Sequence, residues 1–255
     1  MKDRHTGYMV RYACCLVILL QATAYTSSAA DWPGFRGPNR DGISSESDIP
    51  TVWSDTRNVA WKCKLPGAGF SSPIVVGKQI IVTCYKMEGG QLKRYLVSVD
   101  RELGKIVWSR VVPATGTVNR GPGFGTRHGH ASHTPVSDGK NVYVLFGSSG
   151  VFAFDLQGNQ LWSASVGSEN AAMFGSAASP ILYKGRLIVT AAAESESIRA
   201  LDCMTGEEIW KTEAGDLSRS YCTPSLVTNV RGCLLYTSDA ADDTPCVDLG
   251  GRRII

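Results

Sequence analysis

Three histidines within six residues are the first feature with chemical potential. His128, His130 and His133 stand two and three positions apart, and neutral imidazoles so spaced can share a metal ion. No acidic or thiol side chain accompanies them, and His133 occupies the Ser/Thr slot ahead of a strand-opening proline. A surface or loop-packing role is therefore the stronger reading; the three histidines stand as metal candidates and no metal is assigned. They close a glycine-rich insertion, Thr115 to Gly129. Its Gly121-Pro122-Gly123-Phe124-Gly125 run invites a phosphate-cradle reading, but the dinucleotide spacing and a strand-turn-helix setting are both missing. Glu169-Asn170 is a lone acid-amide pair that reads as a loop turn. Eight cysteines are present, of which Cys14 and Cys15 fall in an apparent leader and Cys233 and Cys246 in an atypical tail. Cys63, Cys84, Cys203 and Cys222 remain. They lack metal-finger spacing and permit three full pairings, so they read as structural, either unpaired or disulfide-bonded.

The elements that must position these residues are repeated. Asp202-Cys203-Met204-Thr205-Gly206-Glu207-Glu208-Ile209-Trp210 recurs as Asp100-Arg101-Glu102-Leu103-Gly104-Lys105-Ile106-Val107-Trp108. One residue shorter, it recurs as Asp155-Leu156-Gln157-Gly158-Asn159-Gln160-Leu161-Trp162. Each copy reads as a strand end, a tight turn and a second strand carrying a tryptophan. Ser/Thr-flanked prolines then open apolar strands at Pro73, Pro135, Pro180 and Pro224, the last three spaced by 45 and 44 residues. Trp61, Trp108, Trp162 and Trp210 are spaced by 47, 54 and 48. A period in the forties with several short strands per unit is that of a β-propeller blade.

The strands fit this reading. Gln79–Tyr85, Asn141–Phe146 and Arg186–Thr190 are β-branched and aromatic runs bounded by turn residues. No long window outside the leader carries a helical period. The expectation is an all-β chain of four-stranded blades, about three complete and a fourth begun, with each repeated Trp packed between neighbouring blades.

The Ala200-Leu201-Asp202, Thr205-Gly206 and Trp210 phrase resembles the PQQ-type (pyrroloquinoline-quinone-like) β-propeller repeat. The resemblance covers about Trp32 to Gly232. The opening Asp31-Trp32-Pro33-Gly34-Phe35-Arg36-Gly37-Pro38-Asn39-Arg40-Asp41-Gly42 is similar to the start of secreted bacterial members. The repeat specifies a fold and not an activity, since the family holds both dehydrogenases and non-enzymatic scaffolds. Dehydrogenase membership would imply a carboxylate and amide cluster for calcium, a catalytic Asp and an adjacent-cysteine disulfide beside the quinone. The sole adjacent cysteines, Cys14-Cys15, lie in the leader. They precede its apolar run, unlike the lipidated cysteine that resemblance to the barrel-assembly scaffold lipoproteins would imply.

In chain order, residues 1–30 read as a signal peptide: Lys2, Arg4 and Arg11, an apolar run from Cys14 to Leu20, then Ser28-Ala29-Ala30 before Asp31. The apolar run is short for a membrane span. Residues 31–58, rich in Gly, Pro, Asp and Ser, read as an ordered coil anchored by Trp32 and Phe35. Residues 59–232 form the partial propeller. Its first segment, Val59 to Gly67, matches the end of a blade and is expected to complete the last blade of the ring. The first full blade runs from about Ser71 to Val112, with a hairpin around Met87–Gln91. Residues 233–255 match no blade. Cys233-Leu234-Leu235-Tyr236-Thr237-Ser238 resembles the conceptual translation of a transposase sequencing adapter, which makes 233–255 an expected non-native tail.

Residues 31–232 carry 21 basic and 18 acidic side chains, with no basic stripe. That argues against nucleic acid and against strong attraction to anionic membranes. Taken together, the sequence points to an exported, periplasmic or secreted, non-enzymatic propeller that binds a protein or glycan through loops on the blade rims. It assigns no catalytic residue and no cofactor. A fragment of a quinone-dependent dehydrogenase is the alternative.

Overall fold

The computed structural model describes residues 30–47, 49–114, 130–168, 176–215, 221–229 and 232–236. The leader, the insertion at 115–129 with His128, the Glu169-Asn170 pair and residues 237–255 lie outside the described residues.

Three antiparallel four-stranded sheets follow one another along the chain, each a simple meander. The first holds β1 (Ile74–Val76), β2 (Gln79–Glu88), β3 (Gln91–Asp100) and β4 (Ile106–Pro113). The second holds β5 (Val136–Ser137), β6 (Asn141–Leu145), β7 (Val151–Asp155) and β8 (Gln160–Ala164). The third holds β9 (Ile181–Tyr183), β10 (Arg186–Ala191), β11 (Ser197–Asp202) and β12 (Glu208–Glu213). A hairpin, β13 (Ser225–Asn229) with β14 (Gly232–Tyr236), begins a fourth unit. Its second strand runs into the stretch that carries no blade phrase.

The repeated phrase has a physical explanation at every position. The Asp caps the turn: Asp100 Oδ1 accepts the amides of Glu102 and Leu103 at 2.9 and 2.7 Å. Asp155 does the same for Gln157 and Asn159, and Asp202 for Met204 and Thr205. Such Asx caps replace the backbone partners a tight turn cannot supply. The glycine then serves twice. At Gly158 and Gly206 the backbone is left-handed, φ 80° and 76°, which glycine adopts without a Cβ penalty. The bare Cα also seats the tryptophan of the preceding blade, since a Cβ on Gly158 or Gly206 would stand 2.8 or 2.5 Å from the Trp108 or Trp162 ring.

Each of these rings is fixed by one more bond. Trp108 Nε1 donates to Leu156 O at 2.9 Å and Trp162 Nε1 to Cys203 O at 3.0 Å. Both carbonyls belong to the residue just after the capping Asp. Trp61 docks on the first blade by the same rule, against Gly104 and donating to Arg101 O at 3.0 Å. Segment 59–67 therefore sits as the end of a preceding blade would sit. It differs from expectation in forming no strand of its own among the described residues.

The blades converge on their first strands. Ser72 N donates to Thr134 Oγ1, Thr134 N to Ser179 Oγ and Ser179 N to Thr223 Oγ1, at 3.0, 2.9 and 3.0 Å. These four residues precede the four strand-opening prolines, so the Ser/Thr-Pro pattern is a relay of hydroxyl acceptors joining successive blades. The slot assigned from sequence to His133 is held by Thr134, one residue on. Between sheets the core is aliphatic and aromatic: Val142, Val144, Phe152 and Phe154 meet Ile74, Ile81, Leu96 and Trp108. Tyr143, Leu145 and Val151 meet Leu187, Val189 and Leu201. The last strands of the blades lie outermost, exposing Val107, Val111, Leu161 and Ile209.

Candidate functional site

The antiparallel meander divides the connections into two ends. The β1–β2 and β3–β4 turns lie at one end, and the β2–β3 hairpin and the β4–β5 connection at the other. Contacts between blades show that corresponding ends coincide. Arg94, near the start of β3, donates through Nε to His130 O at 2.9 Å in the β4–β5 connection. Its Nη1 donates to Ser149 Oγ in the 3-10 turn Gly147–Ser149 between β6 and β7. Glu194, in the single helical turn α1 (Ala192–Ser195) between β10 and β11, lies within electrostatic reach of Arg94. His133 Nε2 and Ser176 Oγ, from the β4–β5 and β8–β9 connections, are 2.9 Å apart.

Together these side chains make a buried polar cluster that spans all three blades at the loop-bearing end. Arg94 is 4 % exposed, Glu194 2 % and His133 1 %. Gly147 lets them approach: a Cβ there would lie 3.3 Å from Glu194 Oε1 and 4.0 Å from the His133 ring. Burial first, and then the Arg94 charge, push His133 down to about 3, so it is neutral at physiological pH. Burial raises the Glu194 carboxyl, opposed by the Ser176 hydroxyl and by Arg94. Burial pulls Arg94 down to about 10, which leaves it charged at neutral pH. His130 is also lowered, by desolvation and by Arg94, and its ring meets Tyr85 edge-on at 5.0 Å.

Among the described residues no hydrogen-bond partner reaches two buried atoms of the cluster, Glu194 Oε2 and His133 Nδ1. A perturbed buried acid beside a buried Arg, with two polar atoms left without a partner among the described residues, makes this cluster the candidate site. A His held neutral this strongly is no general base near pH 7. The histidines come together only in part. His130 contributes its carbonyl and His133 its ring, and among the described residues no three His, Cys, Asp or Glu side chains gather as metal ligands. Sequence reading did not single out Arg94, Ser149, Ser176 or Glu194. A usable signal existed for Glu194, an acid directly following the apolar run Ala191–Ala193, and for Arg94, a cation between Leu92 and Tyr95 in a buried strand.

Cys63, Cys84 and Cys203 are free thiols. Burial raises Cys84 and pushes Cys203 up to about 11, which makes both poor nucleophiles.

Comparison with solved structures places this arrangement in a known architecture. The chain is similar to quinohemoprotein alcohol dehydrogenase from Comamonas testosteroni, with TM-score 0.52 and 20 % identity over 73 % of this chain and 28 % of that one. It is also similar to the quinohemoprotein alcohol dehydrogenase ADHIIG from Pseudomonas putida HK5, with TM-score 0.51 and 19 % identity over 71 % of this chain and 26 % of that one. The chain has the PQQ-like β-propeller fold. BamB from Moraxella catarrhalis aligns with this propeller at TM-score 0.44 and 21 % identity, over 68 % of this chain and 46 % of that one. The propeller spans about a quarter of the length of the two dehydrogenases. No protein-family model matches it, and no curated protein matches it significantly.

The fold implies a test for calcium and quinone. Calcium takes six to eight oxygen ligands, mostly carboxylate and amide. The cluster offers a single carboxylate with a cation, Arg94, next to it, and the described residues contain no adjacent cysteine pair. The described residues of the propeller therefore do not fit that cofactor pair. No described helix is long and apolar enough to cross a membrane.

Proposed function

We propose that this chain acts as an exported, non-enzymatic binding or scaffold module, engaging a protein or glycan through the loops at one end of its blades. The observation that carries this reading is the convergence of the β2–β3, β6–β7 and β10–β11 connections on that end, around Arg94, Ser149 and Glu194. Loops held on a rigid scaffold are where propellers and other β folds place recognition. The Asx-capped turns are segregated to the opposite end, and the connections from one blade to the next lie at this one. The near-neutral charge balance favours neither nucleic acid nor an anionic surface as partner. Export, with removal of residues 1–30 and a periplasmic or secreted destination, belongs to the same reading.

A photo-reactive amino acid at Gln91, exposed in the loop-bearing hairpin, is compared with one at Gln157, exposed in a capped turn. A saturable adduct with one partner from Gln91 and none from Gln157 is the expected result. Adducts from Gln157 alone contradict the assignment of the face.

The dehydrogenase alternative has one observation in its favour, the free Glu194 oxygen at the loop-bearing end of a dehydrogenase-like fold. On that reading Glu194 would face a calcium ion whose other ligands come from outside the described residues.

A further inference from the structure

The segment ahead of the blades follows a route that its sequence does not announce. Trp32 pairs with Val75 on the free edge of β1, Trp32 N to Val75 O and Val75 N to Trp32 O, both 2.9 Å. One residue on, Pro33 O accepts Ser137 N of β5 at 2.8 Å. Gly34 lies so close to β5 that a Cβ would stand 3.1 Å from Val136 Cγ2. Arg40 then donates through Nη2 to Leu182 O of β9. These are the first, innermost strands of three successive blades, touched in order.

All the contacts fall at the same end. Asp31 Oδ1 accepts the amide of Gly77 in the β1–β2 turn at 2.9 Å. Ser137 is the last residue of β5, and Leu182 is two residues before the Lys184-Gly185 turn. That is the end opposite the Arg94, His133 and Glu194 cluster. The segment is also internally fixed. Gly37 N bonds Gly34 O, Arg40 N bonds Gly37 O and Gly42 N bonds Arg36 O, at 3.0, 3.2 and 3.0 Å. Arg36 and Arg40 both sit at φ 62°, in the left-handed region that non-glycine residues enter only when their surroundings impose it. The Trp32 ring lies against Gly37, where φ is 79° and a Cβ would stand 2.7 Å from the ring. An incidental coil would leave its strain to relax and the inner strand edges to water.

We propose that Trp32–Arg40 is an axial plug: it staples the innermost strands of three blades and closes the turn-bearing end of the propeller axis along them, leaving the loop-bearing end as the approach to the axis. The plug stands on the fold alone, and it deepens the binding reading by fixing which end a partner can use.

Hydrogen–deuterium exchange tests it. In the unmodified chain the amides of Val75 and Ser137, bonded to Trp32 and Pro33 carbonyls, are expected to be protected like the blade interior at Leu96 and Ser98. Gly37→Val drives a side chain into the Trp32 ring and should unseat the plug, speeding exchange at Val75 and Ser137 at least tenfold while Leu96 and Ser98 hold. Exchange at Val75 and Ser137 in the unmodified chain as fast as in exposed loops overturns the proposal whether or not the variant folds. So does a folded Gly37→Val in which both amides stay protected. Protected amides together with no adduct from Gln91 remove the binding reading and leave the plug standing.

Discussion

The docking of Trp162 on Gly206 gives a double-mutant cycle with numbers on each corner. Trp162→Ala removes a large, mostly buried ring packed near Tyr143, with ring centroids 5.9 Å apart, and is expected to cost about 3–5 kcal/mol. Trp162→Phe keeps most of the packing and loses the bond to Cys203 O, for about 1 kcal/mol. Gly206→Ala carries two separable penalties. Placing Ala at φ 76° costs roughly 1–2 kcal/mol, and forcing a Cβ to 2.5 Å from the ring adds about 1–3 kcal/mol as overpacking. Once the ring is gone, only the backbone penalty remains. The double variant should therefore be more stable than the sum of the singles by about 1–3 kcal/mol. Urea unfolding followed by far-UV circular dichroism reads all four corners without relying on the tryptophan signal. Additivity to within about 0.5 kcal/mol would show that the ring does not sit on the turn, and the docking of Trp162 between blades would be refuted.

Other expectations follow from the same contacts. His133 binds its proton far less readily folded, at about 3, than unfolded, near 6.5. The stability it protects is thus fully present above pH 6.5 and is lost as pH falls toward 3. Urea midpoints between pH 7 and 3.5 should drop more steeply for the unmodified chain than for His133→Gln, and parallel curves would contradict the burial of a neutral ring. Ser179→Ala leaves the buried Thr134 amide without its acceptor and should cost about 1–3 kcal/mol, read from the same titration; a loss below about 0.5 kcal/mol would remove the hydroxyl relay as a structural device. Intact mass of the secreted chain is expected to show Asp31 as its first residue, and a retained leader would contradict export by a cleaved signal.

The fold was legible because its determinants recur at a fixed period. Asp202, Gly206 and Trp210 lie within nine residues of one another, and three copies expose the pattern even before the roles of cap, turn and ring are known. The Ser/Thr-Pro pattern was visible too, but its meaning was not, because each hydroxyl bonds an amide about 45 residues or more away. The polar cluster was hidden for a stronger version of the same reason. Arg94, His133 and Glu194 are single-copy residues on three blades, brought together only by the convergence of loops at one end. The histidine spacing drew notice to His130 and His133, yet one contributes a backbone carbonyl and the other a neutral ring, which no spacing rule encodes. Of the path of Trp32–Arg40 the sequence announced the Trp32 anchor but not the route, since pairing along a strand edge uses backbone atoms and leaves no side-chain pattern.

The most direct test of a non-enzymatic binding propeller is isothermal titration of this chain with pyrroloquinoline quinone in the presence of calcium. The polar cluster supplies one carboxylate beside a buried arginine, so the account predicts no saturable heat and no bound-quinone absorbance after desalting. A saturable, micromolar quinone site that disappears on Glu194→Gln would contradict it and favour the dehydrogenase reading in its place.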